Sequence, residues 1–471
     1  ILADDMGYGD ISGLNENSGI RTPNMDRLVE EGIHFTDFHT NSAVCTPTRY
    51  GVLTGRYAWR SRLKTGVLRG YVEPLIEADR VTVASSLQYC GYTTACIGKW
   101  HLGLGWQRKD VSRPIRKYEW DNVFLEGDDS NVDFSTPVTG GPSELGFDYS
   151  YIIPASLDMS PYVYLENDRV VELPTAFTPG KDQEVDGRGV FWRSGEVSPS
   201  FDFEDVLPNL TRDAVAFIEK QAGKEMPFFL YFPLTAPHTP WLPTESVLGH
   251  SEAGTYGDFV VLVDEMVGSI LNMLDRLDMA ENTLVIVTSD NGAHWTPEDK
   301  ERYAHRANHI FRGQKADIYE GGHRVPYIAR WPDQIRSGSE SSQVMCSTDL
   351  LATVAGITGV PLPAGAGEDS VNMLPAYLNP NLKEPIRDHT IHHSLHGHFA
   401  IRKGKWKLTT RLGSGGFSDP RELPGNGDAN LGSLYDLVGD PGESENLYGR
   451  HPEVVRSLEA LLEKTKLENL K

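Results

Sequence analysis

The sequence predicts an α/β fold: a doubly wound, mostly parallel sheet followed by a smaller C-terminal unit with an antiparallel sheet. Three observations predict it. Amphipathic helical segments alternate with short apolar runs over most of the chain, as in a sheet wound with crossover helices. Four of those runs end on residues that carry chemistry: Asp4-Asp5, Lys99 with His101, His238, and Asp290-Asn291. Past Pro375–Pro385 the pattern changes to a hairpin, a short strand and a terminal helix, which sets two domains, 1–380 and 381–471. In open α/β sheets ligands bind beyond the carboxyl ends of the strands, so the four run ends point to one shared site.

Taken in order, Ile1–Ala3 reads as the last residues of a strand, one that starts before residue 1. Thr22-Pro23 opens a helix with Met25, Leu28 and Val29 on one face, and Gly32 closes it. Proline suits a first turn because its missing N–H has no partner there. The next helix is read from Cys45: Thr46 as its cap, Pro47 in its first turn and Gly55 as its stop. Cys45 then meets free N–H groups, the positive end of the helix dipole and the Arg49 charge. That setting favours an anion and lowers a thiol pKa. Taken alone, Cys45 also reads as a buried structural cysteine.

Thr82–Tyr89 is a further helix and Thr93–Ile97 a strand leading to Lys99. Residues 104–205 are irregular, rich in Gly, Pro, Asp and aromatics, with strands at Tyr151–Pro154 and Tyr162–Leu165; they read as insertions that build a pocket rim. Thr211 caps a helix carrying Ala214, Val215, Phe217 and Ile218. Phe228–Leu234 is an unbroken apolar run, expected for a strand buried on both faces. Phe259 to Leu274 is a long amphipathic helix, Leu284–Val287 and Val325–Ala329 are strands, and Asp349–Ala355 is helical. In the second unit, Phe399–Arg402 and Lys405–Thr409 form a hairpin, Ser433–Leu437 a strand and Pro452–Lys466 a helix.

Length and charge narrow the function. A chain of 471 residues is long enough for a large core plus a smaller one. A formal net charge of -22 argues against nucleic acid or anionic membrane as partner. No apolar run is long enough to span a membrane. The four cysteines, 45, 90, 96 and 346, are too few for a disulfide scaffold. Asp4, Asp5, Asp290 and Asn291 offer hard oxygen donors, which suit Ca²⁺; Mg²⁺ and Mn²⁺ stay open on donor type alone. Singly, each also reads as a turn or capping residue.

Several motifs carry a resemblance. Cys45-Thr46-Pro47-Thr48-Arg49 runs on to Leu53-Thr54-Gly55-Arg56. Gly98-Lys99-Trp100-His101 follows in order, then Lys315 ahead of Tyr319-Glu320-Gly321-Gly322, then Tyr435-Asp436-Leu437 with Glu445-Asn446-Leu447. Together they resemble the type I sulfatases of the alkaline phosphatase superfamily, from Asp4 to about Leu447. The resemblance implies an alkaline-phosphatase-like fold and sulfate ester hydrolysis. It implies that Cys45 is oxidised to formylglycine by a formylglycine-generating or sulfatase-maturating enzyme. If so, three thiols remain and at most one bridge can form.

The same resemblance assigns roles. Asp4, Asp5, Asp290 and Asn291 hold Ca²⁺, with the residue at position 45 as a further ligand. One hydroxyl of the formylglycine hydrate attacks sulfur, Lys99 and Lys315 hold sulfate oxygens, and Arg49 holds the hydrate. His238 protonates the leaving alcohol and His101 takes a proton from the second hydroxyl. Arg49, Lys99 and Lys315 also answer the conflict between an acidic chain and an anionic substrate, if they share one pocket. Many relatives with such insertions act on sulfated glycans, which implies a sulfated carbohydrate substrate; the deep pocket those insertions would wall favours a terminal sugar and exo action, and the family resemblance implies a periplasmic or secreted location.

Weaker candidates surround these. Asp158, His294, His305, Arg306 and His323 are candidate substrate contacts, as are His309 and Arg324, though each also reads as a solvated loop residue. His389, His392, His393, His396 and His398 border the pocket or form a second metal site in a hinge. Glu119, Trp106, Trp120, Trp192, Trp241 and Trp295 line a sugar-stacking rim or simply pack. Two rival functions remain at this stage: a formylglycine-dependent phosphodiesterase or phosphonate hydrolase, and a catalytically silent glycan-binding protein.

Overall fold

The computed structural model of the protein describes residues 1–115, 129–182, 188–424 and 431–468. Its centre is a six-stranded sheet in the order Pro233–Pro237, Leu2–Asp4, Val285–Ser289, Tyr327–Arg330, Ile33–Phe35, Ser339–Ser341. The first three strands run parallel, and Tyr327–Arg330 runs against both its neighbours. A five-stranded sheet lies alongside, with Phe228–Tyr231, Thr93–Lys99 and Tyr149–Ile153 parallel and two short antiparallel strands at its edge.

Strand side chains alternate between two cores, which is what double winding requires. Ala3, Ile97, Ile153 and Phe232 face the helices Pro23–Glu31, Val206–Glu219 and Gly254–Arg276. Leu2, Cys96, Ile152 and Tyr231 face the other side, against Tyr50, Val52, Leu53 and Ala84 of the helices Cys45–Thr54 and Val83–Tyr89. Helix Pro23–Glu31 begins on Pro23 and stops at Gly32 as the sequence predicts.

Three expectations need correction. The helix around Thr211 starts earlier, at Val206; Thr211 lies inside it and donates its hydroxyl to the Leu207 carbonyl at 2.9 Å. The apolar run Phe228–Leu234 is two strands, broken at Phe232, whose halves pair in different sheets. Phe228, Phe229 and Leu230 are only half-buried, so that half is not covered on both faces. At the Cys45 helix the cap is Val44, and Cys45 is already the first helical residue.

The C-terminal unit is an antiparallel sheet of Thr390–His393, Phe399–Lys403, Trp406–Thr409 and Ser433–Asp436. Helix Pro452–Leu467 covers it through Val455, Leu458 and Leu462 on Ile391, Ile401, Leu408 and Leu434. Tyr57 and Trp59, which follow the Cys45 helix, join the same apolar cluster. The histidine run is therefore not a hinge: Thr390–His393 is the first strand of this sheet. No helix among the described residues is long and apolar enough to cross a membrane.

Candidate active site

Parallel neighbouring strands bring their carboxyl ends out side by side. Leu2–Asp4 delivers Asp4 and Asp5, Thr93–Lys99 delivers Lys99 and then His101, Pro233–Pro237 delivers His238, and Val285–Ser289 delivers Asp290 and Asn291. Asp5 and His101 both sit in the left-handed region, at φ 66 and 56. Such conformations cost on the order of 1 kcal/mol or more and persist where surrounding structure fixes them. Helix Cys45–Thr54 begins over the same point with every residue buried.

The three cations and three carboxylates meet there. Lys99 donates to Asp4 and, at 3.2 Å, to the Ser156 hydroxyl. Lys315 donates to Asp5 at 2.7 Å. Arg49 grips Asp290 through Nε at 3.0 Å and Nη2 at 2.7 Å, and donates to the Lys99 carbonyl at 3.0 Å. Asn291 donates its amide to Asp5 at 2.7 Å. Arg49, Lys99 and Lys315 thus share one buried site, each paired there with a carboxylate, and Lys315 is 8% exposed where a surface lysine would be solvated.

The donor set fits a hard divalent cation. Oδ1 of Asp4 and Oδ1 of Asn291 are buried with no hydrogen-bond partner among the described residues. Single ligand atoms of Asp4, Cys45 and Asp290 lie within 4.8 Å of one another, and so do those of Asp4, Asp5 and His238. Burial and the Asp4 charge push the Asp290 carboxyl up. Crowded like charges of this kind are what a divalent ion relieves.

Around position 45 the proton chemistry is ordered. Burial pushes the Cys45 thiol up to about 11, against the pull of Lys99 and Lys315. The expected lowering by helix dipole and cations is thereby overturned, because desolvation outweighs both. A thiol held protonated is a poor nucleophile, so the unmodified side chain has little chemistry of its own. His101 is 1% exposed, and burial followed by Lys99 and Arg49 holds it far below the usual range. Its Nε2 bonds the Leu68 carbonyl at 2.8 Å and its Nδ1 has no partner. His238 bonds the Thr239 carbonyl through Nδ1 at 2.6 Å, and its Nε2 lies 3.8 Å from Asp5.

The outer candidates divide. Asp158 is buried and ion-paired with Arg193, and its Oδ1 has no hydrogen-bond partner. Burial pushes its carboxyl up, yet Arg193 and His238 outweigh that and keep it well below the usual carboxylate range. His294 is half-buried against Phe417. His305 is buried away from the site, bonded to Asp10 at 2.8 Å, and Arg306 is exposed and caps the carbonyls of Tyr303, Ala304 and His305. Trp106 and Trp295 are buried packing residues, Trp192 stacks on Phe203, and Trp241 lies between Tyr256 and Arg188. Glu119 and Trp120 lie outside the described residues. No sequence motif singles out Ser156, whose hydroxyl lies between Lys99 and His238 Nδ1 at 3.2 and 3.3 Å.

His323 is not a substrate contact either. It stacks on His392 with ring centroids 3.9 Å apart, and its Nδ1 is 3.1 Å from that of His39. The three rings are buried beside Asp37, Glu320, Glu443, Lys407, Arg402 and Arg324. Three acids balance three fixed cations there, and two of the rings are parallel, so their in-plane lone pairs do not converge on one ion. Of the five histidines from 389 to 398, His392 alone belongs, among the described residues, to a group whose ring nitrogens lie within 4.8 Å of one another, the one with His39 and His323. His392 and His393 alternate across one strand, and His398 bonds Glu422.

Burial is the first cause that keeps His39, His323 and His392 below the usual histidine range. The unfolded chain takes up protons below about pH 6.5 where these rings do not. Their stability is therefore full above about pH 6.5 and is lost on acidification. Glu443, raised by burial, acts in the opposite sense with one group against three. We expect Tm to fall between pH 7.5 and 5.5, and to fall less in His392→Phe; equal falls in both proteins would contradict this.

Comparison with known proteins gives the following. The family model described as Sulfatase matches residues 1–360, and that described as N-sulphoglucosamine sulphohydrolase, C-terminal, matches 311–469. The chain is 33% identical to an N-acetylgalactosamine-6-O-sulfatase of Bacteroides thetaiotaomicron, over 99% of this chain and 92% of that one. It is 32% identical to arylsulfatase A of Homo sapiens, over 98% and 86%. A structure from work on the metabolism of multiple glycosaminoglycans by Bacteroides thetaiotaomicron superposes with a TM-score of 0.83 at 32% identity, covering 99% and 98%.

Proposed function

The chain belongs to the sulfatase family and is a sulfuric ester hydrolase of alkaline-phosphatase-like fold, and from that premise we propose that it removes sulfate from a terminal sugar of a sulfated glycan. The observation that carries this reading is the buried meeting of Arg49, Lys99 and Lys315 with Asp4, Asp5 and Asp290 at position 45.

Asp4, Asp5, Asp290 and Asn291 would hold Ca²⁺ together with the residue at 45, and the ion would offset charge on the sulfuryl oxygens. Formylglycine made from Cys45 by a maturating enzyme would supply the nucleophilic hydroxyl and a second hydroxyl whose loss of a proton frees the sulfate. Lys99 and Lys315 bind the remaining sulfate oxygens, where low dielectric strengthens each contact. Nδ1 of His238 donates to the Thr239 carbonyl, which leaves Nε2 to carry a proton to the departing sugar oxygen. His101 stays neutral, with an unpartnered Nδ1 able to accept a proton. Arg49 fixes the Asp290 carboxylate through two bonds.

Asp158 presents a buried acceptor for a sugar hydroxyl. The galactosamine 6-sulfate relative makes 6-sulfated N-acetylgalactosamine the first substrate to try. Residues 1–380 and 381–471 act as two folding units, and the protein works in the periplasm or outside the cell. Sulfated oligosaccharides of defined length test the reading through sulfate release. Release should start at chain ends. Release first from internal residues would overturn the exo reading, and activity on aryl sulfates alone would overturn the glycan reading.

A further inference from the structure

Trp106, Trp192, Trp241 and Trp295 pack against other side chains, which leaves the question of what faces the sugar. Among the described residues, the aromatic ring packed against the apolar cluster that includes Cys45 is Phe417. It is half-buried and packs against the cluster of Val44, Cys45, Val67, Met159, Ala316 and Leu395. It comes from the C-terminal unit, on the connection between strands Trp406–Thr409 and Ser433–Asp436.

Its position is fixed relative to the sulfate pocket. Asp317, two residues past Lys315, is fully buried and accepts the Phe417 N–H at 2.8 Å and the Ser418 N–H at 3.0 Å. The Ser418 hydroxyl donates to its other oxygen. Ala316, at φ 77, donates its N–H to the Ala43 carbonyl and accepts the Leu395 N–H, so one residue ties the Cys45 helix approach to the C-terminal unit. Gly416 lies so close that a Cβ there would come within 2.3 Å of the Ala316 carbonyl oxygen. His294 leans on the ring with centroids 4.9 Å apart and planes tilted by 40°.

We infer that the C-terminal unit completes the substrate pocket and that Phe417 is the platform on which the sulfated sugar lays its C–H face. An aromatic face is electron-rich and attracts polarised C–H bonds, while the opposite, hydroxyl-bearing face of the sugar remains free for polar partners. The inference rests on the glycan reading above and names the residue that selects the leaving group. Phe417 touches the sugar and not the sulfate, so its loss should weaken ground state and transition state alike.

The test measures KM and kcat for sulfate release from N-acetylgalactosamine 6-sulfate and the Ki of inorganic sulfate, in wild type, Phe417→Leu and Phe417→Tyr. Leucine keeps the apolar bulk that the Cys45 cluster needs and removes the flat face. Phe417→Leu should raise KM roughly tenfold, with kcat and the sulfate Ki within about twofold of wild type. Phe417→Tyr should restore KM. An unchanged KM in Phe417→Leu with an active wild type overturns the platform and leaves the glycan reading standing. Equal rises in KM and in the sulfate Ki mean a collapsed pocket and overturn it too. Failure of wild type to release sulfate from any sulfated sugar overturns the glycan reading, and this inference with it.

Discussion

Replacing Cys45 by Ala should lower sulfate release by about four orders of magnitude or more, because a covalent nucleophile and everything organised around it are lost together. The fold should survive. Cys45 is a small side chain in a cluster of neighbours, and truncating it leaves a cavity worth about 1 kcal/mol. Cys45→Ser should be nearly as inactive in a host that modifies only cysteine. Serine offers one hydroxyl, whereas release of the sulfate needs a second on the same carbon. Measured rates on the best glycan substrate, beside a melting curve, separate loss of chemistry from loss of structure. Wild-type activity in either variant would remove the formylglycine mechanism.

Chelation of divalent ions should abolish activity and lower Tm. Three carboxylates, two unpartnered buried oxygens and an Asp290 carboxyl pushed up by its neighbours describe a site that gains from a bound cation. An ion that binds the folded state alone adds about 2.7 kcal/mol at a free concentration of one hundred times its Kd. Asp290→Asn keeps the shape, removes the charge that Arg49 pairs with, and should make Tm insensitive to chelator. Elemental analysis of active enzyme with no divalent cation, or equal Tm with and without chelator, would contradict the site.

The parts of this molecule that local chemistry decides were legible in the sequence. Pro23 and Gly32 bracket a helix because one needs no N–H partner and the other ends a turn cheaply, and the structure begins and ends that helix there. The four strand ends were legible as one site because parallel strands share a carboxyl edge. Decisions made by distant partners were not. Phe228–Leu234 has no turn residue inside it; it divides because Thr93–Lys99 claims one half and Leu2–Asp4 the other. The Cys45 thiol looked acidified from its helix and cations, but only the structure shows that every residue of that helix is buried. His323 and His305 looked like pocket residues from a loop rich in His and Arg. Their partners, His39, His392 and Asp10, lie tens to hundreds of residues away in the chain. Phe417 belongs to the same class, placed by Asp317 from a hundred residues off.

The most direct test is the mass of the peptide that spans Cys45, taken from protein made beside a maturating enzyme and shown to release sulfate. A mass in which the thiol and one hydrogen are replaced by a carbonyl oxygen, on a peptide that reacts with a hydrazide, is the expected result. An intact cysteine thiol at position 45 throughout a fully active sample would contradict the account.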